Sequence, residues 1–373
     1  MPAFFGGKRI AAALLVCVGG LALAPDPAGA FCDTPIRVLV ARSREPVSLF
    51  VEGRLRRVAP VKSGVAVDGR YAGERWDSGP LQSARVGSLR LTGRLRAFRH
   101  ERDLVVVNDA PLEVYVAGAI GGEMPTDWAS DALRAQAVAS RSYALHRHAE
   151  SRRLPWDVEA GTRSQVFRGL DVAAAAKQAA EDTRCQILEH DGRPILAAFH
   201  SASGGRSASA AEVWGEPVAY LVSRDVSDED DSPDTYWRAA ISRSTLARAL
   251  GAAGHRVGRI EAIEVVERSE SGRVRWLRVD GTKGELRLTG RQLRTLLGES
   301  TLRSTLFELR PESEGFVFVG SGSGHGVGMS QWGARGLAER GVSYREILAG
   351  FFPGTTLRSG LDGRTTAWRA GSR

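Results

Sequence analysis

The chain has 373 residues, 43% hydrophobic and 25% charged, enough to bury a substantial core as one large domain or two smaller ones, so a disordered chain is excluded. Its net charge of +8, most of it from arginine, favours an anionic partner such as nucleic acid, acidic lipid or an acidic wall polymer, unless arginine is simply common in its proteome. After the first thirty residues no run reaches about 18 uncharged apolar residues, which excludes a polytopic membrane protein.

Residues 1–30 read as a cleavable secretory leader: Lys8 and Arg9, an apolar run from Ile10 to Ala24, a polar break, then Ala28-Gly29-Ala30. The mature chain is expected to begin near Phe31 with no transmembrane segment left, a retained N-terminal anchor being the alternative. Cys17 follows Val16, where a lipoprotein signal takes a small residue, which argues against lipidation. Export places the protein in the periplasm, in the cell wall or outside the cell, and makes a wall polymer, not nucleic acid, the expected partner. Cys32 and Cys185 remain, an even count for an oxidising compartment; a disulfide and two free thiols both fit.

Ile36, Val38 and Val40 alternate with polar residues, as do Val47, Leu49 and Val51, the period-two pattern of half-buried strands; further strands are predicted at Ser88 to Leu95 and Leu104 to Val107. A helix is predicted from Asp131 to His148, with Ser130 or Asp127 as its cap, and another from Val172 to Thr183. A strand follows at Ile195 to Phe199, then a loop with six acids between Asp225 and Asp234 that lacks calcium-loop spacing and reads as solvated. Residues 260–290 return to strands, and Arg291 to Leu297 to helix. The fold class is α+β, short antiparallel strands with a few helices, as one extended domain or two lobes with a cleft between them.

Three glycine-rich polar stretches interrupt this pattern: GGEMP around Glu123, FHSASGGRS from Phe199 to Ser207, and GSGSGHGVGMSQWGARG from Gly320 to Gly336. Backbone can approach a ligand closely at such places. The last stretch fits neither a P-loop nor the dinucleotide fingerprint, and lacks the final glycine of a nucleophile elbow. His200 and His325, with Cys185, are conceivable zinc ligands, but no metal-binding spacing surrounds them.

Together the segments GGEMPTDW, SQVFRGL, AAFHSASGGRSASAAEVWGEPVAYLVSRD and GSGHGVGMSQWGARGLAERG resemble, in order, the stage II sporulation protein D family, also called the LytB or amidase-enhancer family, from about Leu104 to Leu357. The resemblance implies a peptidoglycan lytic transglycosylase acting on glycan strands stripped of stem peptides, with Glu123 as the catalytic acid. With the leader (1–30) and the β-rich N-terminal segment (31–107) read from the residues, it leaves a catalytic domain (108–357) with a β-rich portion near 255–310, and a C-terminal tail (358–373). Some relatives bind zinc through clustered cysteines; this chain has no such cluster, so no cofactor is expected, and a sporulation role need not transfer. A non-catalytic wall-binding enhancer of a cell-wall amidase is the alternative.

A free glutamate has a pKa of about 4.3, so roughly 0.2% is protonated at pH 7. Glu123 can act as an acid only if burial raises that value. The helix expected after it would oppose this, leaving Met124, Trp128 and the bound sugar to supply the desolvation. His200, Ser201, Ser203 and His325 are candidates to bind the sugar. Gly204, Gly205, Gly324 and Gly326 would let backbone amides reach it, and Gln136, Arg141 and Gln331 would line the same cleft. A stripped strand exposes a lactyl carboxylate on each muramic residue, a charge that arginines such as Arg141 could bind.

Overall fold

The computed structural model describes residues 30–151, 154–161, 164–360 and 365–367. The expected leader lies outside them, except for Ala30, as does most of the expected C-terminal tail.

Eight strands come first: β1 (Ile36–Ser43), β2 (Val47–Val51), β3 (Arg54–Val61), β4 (Gly64–Val67), β5 (Arg70–Gly73), β6 (Arg75–Val86), β7 (Leu89–His100) and β8 (Asp103–Ala110). With the short β9 (Val158–Glu159) they form one sheet in the order β5-β4-β3-β2-β6-β7-β8-β1-β9, in which β9 runs parallel to β1. The alternating positions Ile36, Val38, Leu49, Val58, Leu91 and Leu95 are buried in the first hydrophobic core.

Helices α1 (Leu112–Glu123), α2 (Ser130–Glu150) and α3 (Ala174–Asp182) pack on one another and share that core. The predicted Asp131 to His148 helix is present as α2, but Ala129 stands at its N-cap and no side chain caps it. Asp131 instead accepts the Tyr344 N–H at 3.0 Å. Helix α1 was not anticipated. It is buried on nearly every side, from Leu112 through Tyr115 to Ile120, so it has no polar face and no amphipathic period to read. Its glycines take the segment 166–172 directly against the helix: a Cβ on Gly118 would stand 2.4 Å from Phe167, on Gly121 2.5 Å from Val172, and on Gly122 2.1 Å from the Val166 carbonyl.

Of the two readings for the cysteines, the disulfide is correct: Cys32 and Cys185 are bonded, with Cα atoms 5.2 Å apart. Beyond it lie β10 (Gln186–His190), β11 (Arg193–Pro194) and β12 (Phe199–His200). The strand expected over Ile195 to Phe199 does not form as such. Ala197 and Ala198 donate to the carbonyls of Ile195 and Leu196, tight turns that take the backbone off any ladder until Phe199.

A five-residue helix α4 (Ala210–Trp214) leads to the third core. This is built from β13 (Trp237–Ser242), α5 (Arg243–Ala252), a meander β14 (Ile260–Arg268), β15 (Val274–Gly281) and β16 (Gly284–Thr289), α6 (Gly290–Leu297), and the pair β17 (Phe307–Pro311) and β18 (Gly315–Gly320). Strand β19 (Met329–Ser330) pairs in parallel with β12. Helices α7 (Gln331–Glu339) and α8 (Tyr344–Phe351) close the second core against α2, and β20 (Thr356–Ser359) pairs with β10. The whole is α+β. Among the described residues no helix is long and apolar enough to cross a membrane.

Candidate active site

Glu123, His200, Gly324 and His325 line one cavity of about 360 Å³, together with Tyr143, Ser164, Val166, Phe199 and Trp214. Four elements converge there: the end of α1, the middle of α2, the strand β12 and the loop before β19. Glu123 is half-buried. Burial pushes its pKa up, and the Val166 N–H, which donates to Oε1, draws it part of the way back. The expected opposition from a following helix is corrected: Glu123 is the last residue of α1, whose C-terminal end carries partial negative charge, and α2 begins seven residues later. The helix terminus therefore adds to the upward shift. Met124 is buried in the first core and Trp128 packs on Trp332 at 4.7 Å, so neither lines the cavity as expected; Val166, Tyr143 and Phe199 do.

Both histidines are held neutral. The His200 pKa lies well below its ordinary value because the ring is buried beside His325 and Arg273; that of His325 is lowered to about 4 by burial and then by the charges of Arg294 and Arg273. His200 Nδ1–H donates to the Val327 carbonyl at 3.1 Å, which leaves Nε2 to accept from the Ser203 hydroxyl at 2.8 Å. His325 Nδ1 accepts from the Val327 N–H at 3.0 Å, and the Phe199 carbonyl bonds the same ring. With these nitrogens engaged and Cys185 in a disulfide, the donor set does not fit zinc. Among the described residues no group of three metal-ligating side chains occurs.

The remaining predicted site residues lie behind the cavity. Ser203 is fully buried under His200. The amides of Gly204 and Gly205 were expected to reach a sugar; with that of Ser203 they bind the Glu229 carboxylate instead, at 2.8, 3.4 and 2.6 Å. Glu229 also accepts the Ser330 hydroxyl. This corrects the reading of the acidic loop as solvated: Glu229 and Asp234 are buried, Asp234 paired with Arg303. Ser201 gives its carbonyl to the Trp332 N–H, and a Cβ on Gly326 would stand 2.4 Å from the Arg273 guanidinium, so that glycine serves packing.

Gln136 and Gln331 are buried rather than cleft-lining. The Gln331 amide donates to the Glu123 carbonyl at 3.3 Å and to Gln136 Oε1 at 3.4 Å, so the pair supports the end of α1 from within. Arg141 is also corrected. It is completely buried, bonded to Glu113, Thr183 and the carbonyls of Ala180 and Gln186, and presents nothing to a ligand.

Sequence reasoning missed Glu229, Trp214 and Tyr143. Trp214 is 37% exposed at the cavity wall, 5.6 Å from His325, on a helix fixed by a Ser209–Glu212 capping box. Its one signal was a tryptophan set against a glycine, Gly215, inside a stretch already matched to the family. Tyr143, on α2, was hidden by the helix's weak periodicity, and burial keeps its phenol protonated.

The chain is similar to several known proteins. A family model described as stage II sporulation protein matches residues 100–190, and a domain of unknown function matches residues 218–328. An uncharacterized protein of Brachyspira hyodysenteriae is 33% identical over 269 residues, 71% of each chain. A stage II sporulation protein D of Bacillus amyloliquefaciens is 31% identical, covering 67% of this chain and 75% of its own length. The amidase enhancer of Bacillus subtilis is 28% identical over 65% of this chain but only 40% of its own.

Proposed function

The chain belongs to the stage II sporulation protein D family, and from that premise we propose that it is an exported peptidoglycan lytic transglycosylase. One observation carries this reading: Glu123 brings a carboxyl of raised pKa to a cavity whose lining, among the described residues, holds no second carboxylate. Most glycoside hydrolases use two carboxyl groups, one to protonate the leaving oxygen and one to activate water or attack the sugar. An enzyme whose nucleophile is the substrate's own hydroxyl needs one.

Protonated Glu123 gives its proton to the oxygen joining N-acetylmuramic acid to N-acetylglucosamine, and the bond from that oxygen to the muramic C1 breaks. The muramic C6 oxygen then bonds to C1, and its proton passes to the Glu123 carboxylate. A 1,6-anhydro end forms, the acid is restored, and water is not consumed. The Val166 N–H supports the ionised stage of this cycle, while desolvation supports the protonated one. The neutral His200 and His325 are suited to shaping the cavity, not to supplying its proton. Trp214 offers a sugar ring a flat apolar wall in this cavity. The Cys32–Cys185 disulfide supports export to an oxidising compartment.

The test is incubation of the mature protein with stripped glycan strands and mass spectrometry of the products. Anhydro-muramic ends are expected from wild type and not from Glu123→Gln. The relative named amidase enhancer favours a second reading, a wall-binding protein that stimulates an N-acetylmuramoyl-L-alanine amidase without cutting. Full stimulation by Glu123→Gln, with no anhydro ends from wild type, would establish that reading instead.

A further inference from the structure

Much of the net positive charge of this protein lies in its N-terminal sheet. Residues 30–110 hold 15 Lys and Arg against 9 Asp and Glu, a net +6 of the chain's +8. No Lys or Arg lines the cavity among the described residues. Within the N-terminal sheet one row crosses four neighbouring strands in register. Leu55 of β3 lies opposite Phe50 of β2, Phe50 opposite Arg85 of β6, and Arg85 opposite Arg90 of β7. Directly paired residues share a face, and all four are exposed, Leu55 by 58% and Phe50 by 38%. The Arg85 guanidinium stacks over the Phe50 ring at 4.5 Å and has no ion pair among the described residues. Arg90 pairs with Asp171 at 2.9 Å, but both are well exposed, and such surface pairs contribute little.

Two features of this row work against an isolated sheet. Like charges directly opposite on antiparallel strands repel, and two large apolar side chains face water. Both become favourable against a ligand with an apolar face and an anionic group. We propose that the row is a distal subsite for the muramic acid residues of a stripped glycan strand, the lactyl carboxylate on Arg85 and Arg90 and the sugar ring against Phe50 and Leu55.

The subsite rests on the reading of Glu123 as a glycan-cutting acid, and the backbone links the two places. The Arg90 carbonyl accepts the Leu170 N–H at 2.8 Å, and Val166, which holds Glu123, is four residues earlier. Four residues span at most about 14 Å, so the Arg90 end of the row and the loop holding Glu123 are close along the backbone. The row faces away from the core that Leu49, Val86 and Leu91 share with α1, and a strand reaching both places would pass round the sheet.

The test compares labelled stripped strands with neutral chitin oligomers of equal length, on the Glu123→Gln background so that strands stay intact. Exchanging both Arg85→Gln and Arg90→Gln should weaken strand binding about tenfold at low salt and flatten its salt dependence, as loss of a charge-assisted contact would. Chitin binding should not change, Arg85→Lys with Arg90→Lys should retain most of the affinity, and circular dichroism should report an intact fold. Unchanged strand affinity in the double Gln variant overturns the subsite, as does an equal loss for chitin. So does a dependence on these arginines that is seen only with a glycerol-phosphate polymer. If wild type cuts strands while the double Gln variant binds them undiminished, only the subsite falls; if wild type neither binds nor cuts them, the reading of Glu123 falls with it.

Discussion

The carboxylate of Glu123 takes a hydrogen bond from the backbone N–H of Val166, while the neighbouring Gly122 lies so close to the Val166 carbonyl that a Cβ would stand 2.1 Å from it. The acid and the loop that grips it are thus one interlocked unit, and the tightness of that fit sets how far Glu123 is desolvated.

Cleavage should therefore fall on the alkaline side of the Glu123 pKa, because the proton to be donated is then lost. Glu123→Gln should reduce the rate by roughly 10²–10⁴-fold, the usual contribution of a positioned acid. The same shift has a signature in stability. The folded protein keeps this proton after the unfolded chain has released it, so stability declines as pH rises from the ordinary glutamate value through the raised one. Thermal melts should show Glu123→Gln matching wild type at pH 4 and exceeding it at pH 8.

Gly122→Ala should destabilise by about 1–3 kcal/mol, the ordinary penalty of overpacking, because the new methyl meets backbone rather than a movable side chain. Urea unfolding gives the size of the loss. Strand cleavage should drop further than stability alone accounts for, since the Val166 N–H moves with its carbonyl.

Glu229 ties the SxSGG segment to Ser330, the N-cap of α7, one residue before the Gln331 that supports Glu123. Glu229→Gln turns one acceptor oxygen into a donor facing N–H groups, so a loss of about 1.5–3 kcal/mol is expected. Amide exchange at Ser203, Gly204 and Gly205 should accelerate, and kcat should fall without a change in the pH at which activity is lost.

Asp157 is buried between Arg37, Ser151 and His148 and joins β1 to the end of α2. Burial alone would raise its pKa, but the hydrogen bonds from His148, Arg37 and Ser151 outweigh it and hold the carboxyl well below the usual carboxylate range. Its contribution is present above the unfolded value and is lost as pH falls through the folded one. Asp157→Asn should cost about 3–5 kcal/mol at pH 7, with the gap closing in strong acid.

Where side chains alternate or a helix has one wet face, the sequence is readable. Strands β1, β2, β7 and β8 and helices α2, α3 and α6 lie close to where period and propensity put them. Helix α1 is invisible for the opposite reason: with Tyr115, Val116, Ala119 and Ile120 all buried, no face differs from another. Of the site, the acid and the two histidines could be picked out because they stand in glycine-rich stretches with no structural need for them. Glu229 could not, since a carboxylate bonded to three amides reads the same in sequence as its exposed neighbours Asp230 and Asp231. Arg141 misleads in the converse way, its charge consumed by Glu113 across a helix interface that no spacing rule reveals.

The bond between Cys32 and Cys185 encloses the sheet, α1 and α3 in a single covalent ring. A protease that nicks the chain between Glu123 and Cys185 therefore opens the ring without releasing a fragment. The piece bearing Glu123 stays fastened to the piece bearing His200 and His325, and only chemical reduction sets them apart.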